Sequence, residues 1–212
     1  MTLKTRLANG EVTVGSWISL GDTAIAEIFC NAGFDWLVVD LEHSAIDISR
    51  TAELIRIVDL AGVTPLTRLT SNNPDQIKRV MDAGAAGIVV PMVKSREEAE
   101  AAVAATRYFP RGNRGVGLAR AQGYGATFEQ YKNWQIDGPV VIVQIENVAA
   151  VDKLEDILSV AGVDAYMIGP YDLSGSMGIP GEFDSQNYVD VVERVRCAGE
   201  KAGCPSGIHV VE

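Results

Sequence analysis

Apolar residues along the chain fall into two alternating patterns. Short, almost continuous runs occupy residues 14–20, 36–40, 65–69, 87–93, 140–146, 165–169 and 206–211. Runs of that length and composition suit parallel strands covered on both faces. The stretches between them carry helix punctuation. Asn73-Pro74-Asp75-Gln76 supplies an N-cap, a proline at the first helical position and a glutamine at N3. Ile77, Val80 and Met81 follow at helical spacing, and Gly84 marks the stop. Ser95-Arg96-Glu97-Glu98 reads as a capping box opening an Ala-rich helix that reaches about Tyr108. Gly62, Gly162 and Gly203 close three further helical patterns.

This β-α repetition with short connections predicts a parallel sheet. The exception is residues 109–138, a long Gly- and Arg-containing connection with one short helix around 127–134. Connections of that length in compact domains often border a site. Two architectures fit, an open doubly wound sheet and a (β/α)8 TIM barrel. No Gly-x-Gly-x-x-Gly follows the first strand, which lowers the case for a dinucleotide-binding sheet. Polar residues at the C-terminal ends of several strands favour the barrel. Residues 1–212 then form a single barrel domain with seven recognisable strands, one short of closure.

Composition narrows the function classes. The 212 residues are 47% hydrophobic and 22% charged, as in ordinary globular proteins. No apolar run approaches a membrane span and the N-terminus lacks a signal peptide's apolar core, so a cytoplasmic protein without a membrane partner is expected. The net charge of −10 argues against nucleic acid and requires that an anionic substrate be held by local positive charge. Cys30, Cys197 and Cys204 share no Cys-x-x-Cys spacing, which points to buried reduced thiols rather than disulfides or a zinc site.

The predicted strand ends bring chemistry to one rim. They carry Asp40, Glu42 and His43, then Arg68, then Gln144 and Glu146, and finally Asp172. Gln144 and Glu146 are two apart and face one side of their strand. Glu146 and Asp172, with little His and no Cys nearby, suit a hard cation such as Mg²⁺ or Mn²⁺; a strand-end Glu that caps a neighbouring helix is the plainer alternative. Arg68 could pair with a rim carboxylate, and His209 could be a satisfied core or rim histidine. Lys94 could form a Schiff base with a ketone, or be a solvated lysine before the capping Ser95. Arg111 and Arg114 could steer an acidic substrate or be surface charges on the long connection.

Five stretches together resemble one family: 34–43 (FDWLVVDLEH), 90–93 (VPMV), 107–115 (RYFPRGNRG), 143–146 (VQIE) and 168–174 (IGPYDLS). The chain is similar throughout its length to the HpcH/HpaI aldolases, metal-dependent class II enzymes of the 2,4-dihydroxyhept-2-ene-1,7-dioate aldolase type. The resemblance implies a (β/α)8 barrel that cleaves a 4-hydroxy-2-oxo acid to pyruvate, or a close 2-oxo acid, and an aldehyde. It places the metal ligands on Glu146 and Asp172, with Mg²⁺, Mn²⁺ or Co²⁺ as the ion. The catalytic histidine falls on His43 and the substrate-binding arginine on Arg68. Gln144 matches the pyruvate-contacting glutamine, Asp40 matches an active-site aspartate, and Gly169 and Ser174 lie in a substrate-binding stretch. Glu42 belongs to the same motif as His43, as a group that orients it or a bound water. Asp82 matches an acidic residue that approaches a neighbouring subunit's histidine, in a family that forms homo-oligomers, trimers or hexamers.

The implied chemistry suits these groups. A divalent cation and Arg68 would stabilise the charge left on the pyruvate fragment, and His43 or a water it holds would take the 4-hydroxyl proton. The family also continues with an eighth strand and a final helix, so the resemblance predicts further chain beyond Glu212. The rival readings are a CoA-ester lyase or other metal-dependent lyase on the same barrel, and a truncated, non-catalytic barrel.

Overall fold

The computed structural model describes residues 1–209. Seven strands form one parallel sheet: β1 (Gly15–Ile18), β2 (Trp36–Asp40), β3 (Thr64–Arg68), β4 (Gly87–Val90), β5 (Val140–Ile145), β6 (Ala165–Ile168) and β7 (Ser206–Gly207). Their order in space is their order in sequence. That order contains no reversal, which rules out the doubly wound alternative. All seven predicted strands are present. The expected last strand runs on to Val211, which lies outside the described residues.

The sheet is curled, with one apolar core inside it and another outside. Val38, Leu66, Val89, Val140, Ile142, Ala165 and Met167 point inward and pack with Leu3. The alternate residues Leu37, Val39, Ile88, Val90, Val141, Val143 and Ile145 point outward into the helical layer. This is the period-two alternation of a barrel wall. β1 and β7 are the two edges of the sheet among the described residues. The edges approach each other: the rings of Trp17 in β1 and His209, just past β7, have centroids 5.4 Å apart.

The crossover helices are α2 (Thr23–Cys30), α3 (Ile48–Leu60), α4 (Pro74–Ala83), α5 (Arg96–Thr106), α6 (Phe128–Trp134), α7 (Val148–Val151), α8 (Leu154–Leu158), α9 (Pro170–Ser176) and α10 (Gln186–Ala202), preceded by α1 (Leu3–Ala8). Asn73 accepts from the N–H groups of Asp75 and Gln76, as its sequence predicts. Gly84 ends α4 in the left-handed region at φ 107°, where a Cβ would also lie 2.3 Å from Arg120 Nη1. At Ser95 the box is altered. Ser95 accepts from the Glu98 N–H, but Glu98 reaches back one residue further, to the N–H of Lys94.

α1 is absent from the sequence reading, because two leucines in six residues make too short a pattern to register. It closes the N-terminal end of the barrel. Leu3 joins the inner core, and Lys4 Nζ reaches the Pro139 carbonyl at 3.1 Å and Asp164 at 3.0 Å, both just before strands. α9 also follows β6 directly, where the sequence suggested only a strand end.

The long connection holds a 3-10 helix (Arg120–Gly125) and α6. Arg114 overturns both of its sequence readings. Its side chain is fully buried, stacked near the rings of Tyr108 and Tyr131, and bonded to Asp82, the Tyr131 hydroxyl and the Thr106 carbonyl. Arg111 is exposed. The expectation of buried thiols is corrected for Cys197, which is exposed; Cys30 and Cys204 are half-buried, and all three are free. Among the described residues, no helix is long and apolar enough to cross a membrane.

Leu3 is 5% exposed against the inner core, so Leu3→Ala removes packing with nothing to refill it. The expected loss is about 2–4 kcal/mol of unfolding free energy, read from urea denaturation; an unchanged midpoint would show that α1 does not seal the barrel.

Candidate active site

Register brings the polar residues together. Asp40 on β2 pairs in register with Arg68 on β3, and Gln144 on β5 with Met167 on β6. Asp40, Arg68, Gln144 and Glu146 continue the inward rows begun by Val38, Leu66 and Ile142. The barrel interior thus changes from apolar to polar at the C-terminal ends of the strands, where barrels build their sites.

The Arg68 guanidinium is clamped edge-on by Asp40, with Nε 2.8 Å from Oδ1 and Nη2 2.6 Å from Oδ2. Its third nitrogen, Nη1, lies 3.4 Å from Glu42 Oε2. The N–H groups of Glu42 and His43 also donate to Asp40 Oδ1. Burial alone would raise the Asp40 pKa, but Arg68 and these two N–H groups outweigh it and hold the carboxyl below its ordinary range. Asp40 is therefore the anchor of the cluster. His43 projects outward, with a side chain 63% exposed and Nε2 3.9 Å from Glu42 Oε2.

Glu146 faces this pair from the other side. Gln144 Nε2 donates to its Oε1 at 3.0 Å and the backbone N–H of Met92 to its Oε2 at 2.9 Å. Met92 adopts φ 56°, a costly conformation for a non-glycine residue, and that turn ends β4 at Val90 rather than at the predicted residue 93. Gly169, the N-cap of α9, makes room for the carboxylate: a Cβ there would sit 2.3 Å from Glu146 Oε1. Burial pushes the Glu146 pKa up to about 7 against the Met92 N–H, with Glu42 and Asp172 adding to the rise. Glu42 is raised by burial as well, opposed by Arg68 and His43. Asp172 stands exposed in the first turn of α9, close enough to act on both glutamates.

These features fit a divalent cation. Gln144 Oε1 and Glu42 Oε2 are buried acceptors without a hydrogen-bond donor, and Glu42, Glu146 and Asp172 lie close enough for their charges to repel one another. Among the described residues no group of three or more His, Cys, Asp or Glu side chains is arranged to hold a metal ion, so a cation here would rest on fewer side-chain ligands, with water and substrate oxygens completing its shell.

Other predicted residues stand apart. Ser174 is fully buried, donating to the Tyr171 carbonyl and accepting from the Gly181 N–H, so its hydroxyl pins a loop instead of facing the rim. Asp82 accepts from Arg114 at 2.6 Å and Gln122 at 3.3 Å under the long connection, away from the rim cluster of the same chain. Lys94 has no hydrogen bond or ion pair with the rim groups among the described residues. His209 is exposed and stacked near Trp17. Met92 and Trp17 escape a search for polar side chains, since one meets Glu146 through its backbone N–H and the other places its ring centroid 4.5 Å from Arg68 Cζ.

Comparison with known proteins identifies the family. The pattern of the HpcH/HpaI aldolase/citrate lyase family matches residues 13–209. The chain is 38% identical over 206 residues to a hydroxypyruvate/pyruvate aldolase of Agrobacterium fabrum, covering 94% of this chain and 77% of that one. It is 39% identical over 206 residues to the 2-keto-3-deoxy-L-rhamnonate aldolase of Escherichia coli K12, with the same coverage. A solved HpcH/HpaI aldolase/citrate lyase family protein of Burkholderia cenocepacia superposes with a TM-score of 0.91 at 34% identity, over 97% of this chain and 83% of that one. The chain belongs to the HpcH/HpaI aldolase/citrate lyase family. It is an enzyme of the carbon–carbon lyase class.

Two outcomes follow from the Glu146 environment. Its ordinary pKa is 4.5 and its folded value about 7, so the folded chain keeps a proton that the unfolded chain loses. Stability present below pH 4.5 is then lost as pH rises through 7, by on the order of 3 kcal/mol for the metal-free protein. Glu146→Gln should remove this decline, so that urea midpoints of wild type and variant diverge above neutral pH; parallel profiles would refute the assignment. Gly169→Ala should leave the fold intact by circular dichroism but weaken Mn²⁺ binding at least about tenfold, the scale of disturbing a group that orients a ligand.

Proposed function

We propose that the protein is a class II aldolase that reversibly cleaves a 4-hydroxy-2-oxo acid to pyruvate, or a close 2-oxo acid, and an aldehyde. The observation that carries this reading is the opposition of charges inside the rim. A guanidinium fixed by Asp40 faces the carboxylates of Glu146 and Asp172 and the amide of Gln144, and a 2-oxo acid has an anionic end for the first and oxygens for a cation that the carboxylates would hold.

Arg68 binds the carboxylate of the 2-oxo acid through the nitrogen edge that Asp40 leaves open, with charge-assisted bonds that a lysine could not make in the same plane. Gln144 and Glu146 line the opposite side and orient the 2-oxo group. Glu146 and Asp172 would hold a divalent cation, Mg²⁺ or Mn²⁺ with Co²⁺ also suited to the oxygen ligands, which when bound would supply Lewis acidity toward negative charge on that group. Cleavage of the C3–C4 bond leaves its electron pair at C3 of the pyruvate fragment, and that carbon takes a proton from solvent, balancing the one removed from the 4-hydroxyl, before pyruvate leaves. His43, exposed at the mouth and beside Glu42, removes the 4-hydroxyl proton directly or through a water, which releases the aldehyde toward solvent. In the synthetic direction the same imidazole returns that proton.

The test is pyruvate release from a panel of 4-hydroxy-2-oxo acids with Mg²⁺ or Mn²⁺. Turnover should vanish on chelation and in Glu146→Ala and Asp172→Ala, and should fall about 10²–10⁴-fold in His43→Ala. Pyruvate from no substrate, or release indifferent to chelator, would sink the reading.

A further inference from the structure

We propose that Trp17 is a positioning residue that holds the Arg68 guanidinium in its substrate-binding orientation. The inference rests on the assignment of Arg68 as the group that binds the 2-oxo acid carboxylate. Arg68 starts on β3 and reaches across β2, where Asp40 takes its Nε and Nη2 edge. Its Cζ then lies 4.5 Å from the centroid of the Trp17 ring on β1. The clamp from Asp40 fixes the guanidinium within its own plane but resists tilting out of it only weakly. The indole covers the face and removes that freedom.

The alternative orientation is close at hand. Nη1 is already 3.4 Å from Glu42 Oε2, an oxygen that is buried and lacks a hydrogen-bond donor. A guanidinium free to tilt would close that contact and give up the donor edge meant for substrate. Trp17 cannot itself retreat, because it is packed against the inner core containing Val38 and Leu66. The ring of His209 lies against it at 5.4 Å. β1 brings no ionisable side chain to the site, and this ring is its contribution.

The experiment measures oxalate binding to the Mg²⁺-saturated protein by calorimetry, with oxalate as an unreactive dicarboxylate. The proteins compared are wild type, Trp17→Phe, Trp17→Leu, Arg68→Lys and each Trp17 change combined with Arg68→Lys. Trp17→Leu should weaken oxalate about five- to thirtyfold, the range of a largely desolvated cation–π contact, and Trp17→Phe less. Mg²⁺ affinity without oxalate should stay within about twofold of wild type, since Trp17 touches neither Glu146 nor Asp172. For substrate cleavage, KM should rise more than kcat falls. In the Arg68→Lys background the Trp17 changes should alter oxalate binding less than about twofold, because a contact acting through Arg68 has nothing left to act on. Equal losses in both backgrounds, or wild-type oxalate affinity in Trp17→Leu, would overturn the inference. Should Trp17→Leu fail to fold, Trp17→Phe in the two backgrounds decides by the same comparison. Unchanged oxalate binding in Arg68→Lys would instead overturn the assignment of Arg68, and the inference with it.

Discussion

Successive side chains on a strand face opposite sides, and in a curled parallel sheet one of those sides is the barrel interior. The site depends on this constraint. Each inward row starts with a residue that fills the core, such as Val38, Leu66 or Ile142, and ends two or four positions later with Asp40, Arg68, Gln144 or Glu146. A slip of one residue in any strand would turn its polar group into the helical layer. The apolar half of each row thus fixes the position of the polar half.

Charge balance inside the rim accounts for the rest of the site. Arg68 neutralises Asp40 through two hydrogen bonds and leaves Glu42, Glu146 and Asp172 without an equivalent partner. The two glutamates respond by burial-driven upward shifts, which is how a protein accommodates carboxylates whose burial outweighs the opposite charge near them. A bound cation would relieve the same imbalance. The strained turn at Met92 and the missing side chain at Gly169 belong to this arrangement, since both serve to seat the Glu146 carboxylate.

The long connection is held by a different device. Arg114 is buried between two tyrosines and paired with Asp82, and Gln122 bonds both Asp82 and the Tyr108 hydroxyl. Removing one member of such a network leaves the others buried and unpaired, which is far costlier than losing a surface ion pair. The segment is therefore anchored against α4 despite its glycines, with Val116, Leu118 and Tyr124 exposed on its outer side.

Strand positions, most helix starts and stops, and the residues Asp40, Arg68, Gln144 and Glu146 were legible in the sequence, because alternation, caps and strand ends are local patterns written in residue type. The five motifs added the reaction. What tertiary structure decided lies where type and spacing are silent. Arg114 and Arg111 look alike in sequence, yet only Arg114 meets Asp82 and two aromatic rings, across a fold that brings residues 82, 108 and 131 together. Ser174 sits in a site motif but spends its hydroxyl on Tyr171 and Gly181. Met92 contributes a backbone N–H and Trp17 a ring face, neither of which a pattern of polar side chains can register. Local periodicity determined which groups reach the rim; the curling of the sheet, which joins residues distant in sequence, decided which partners they find there.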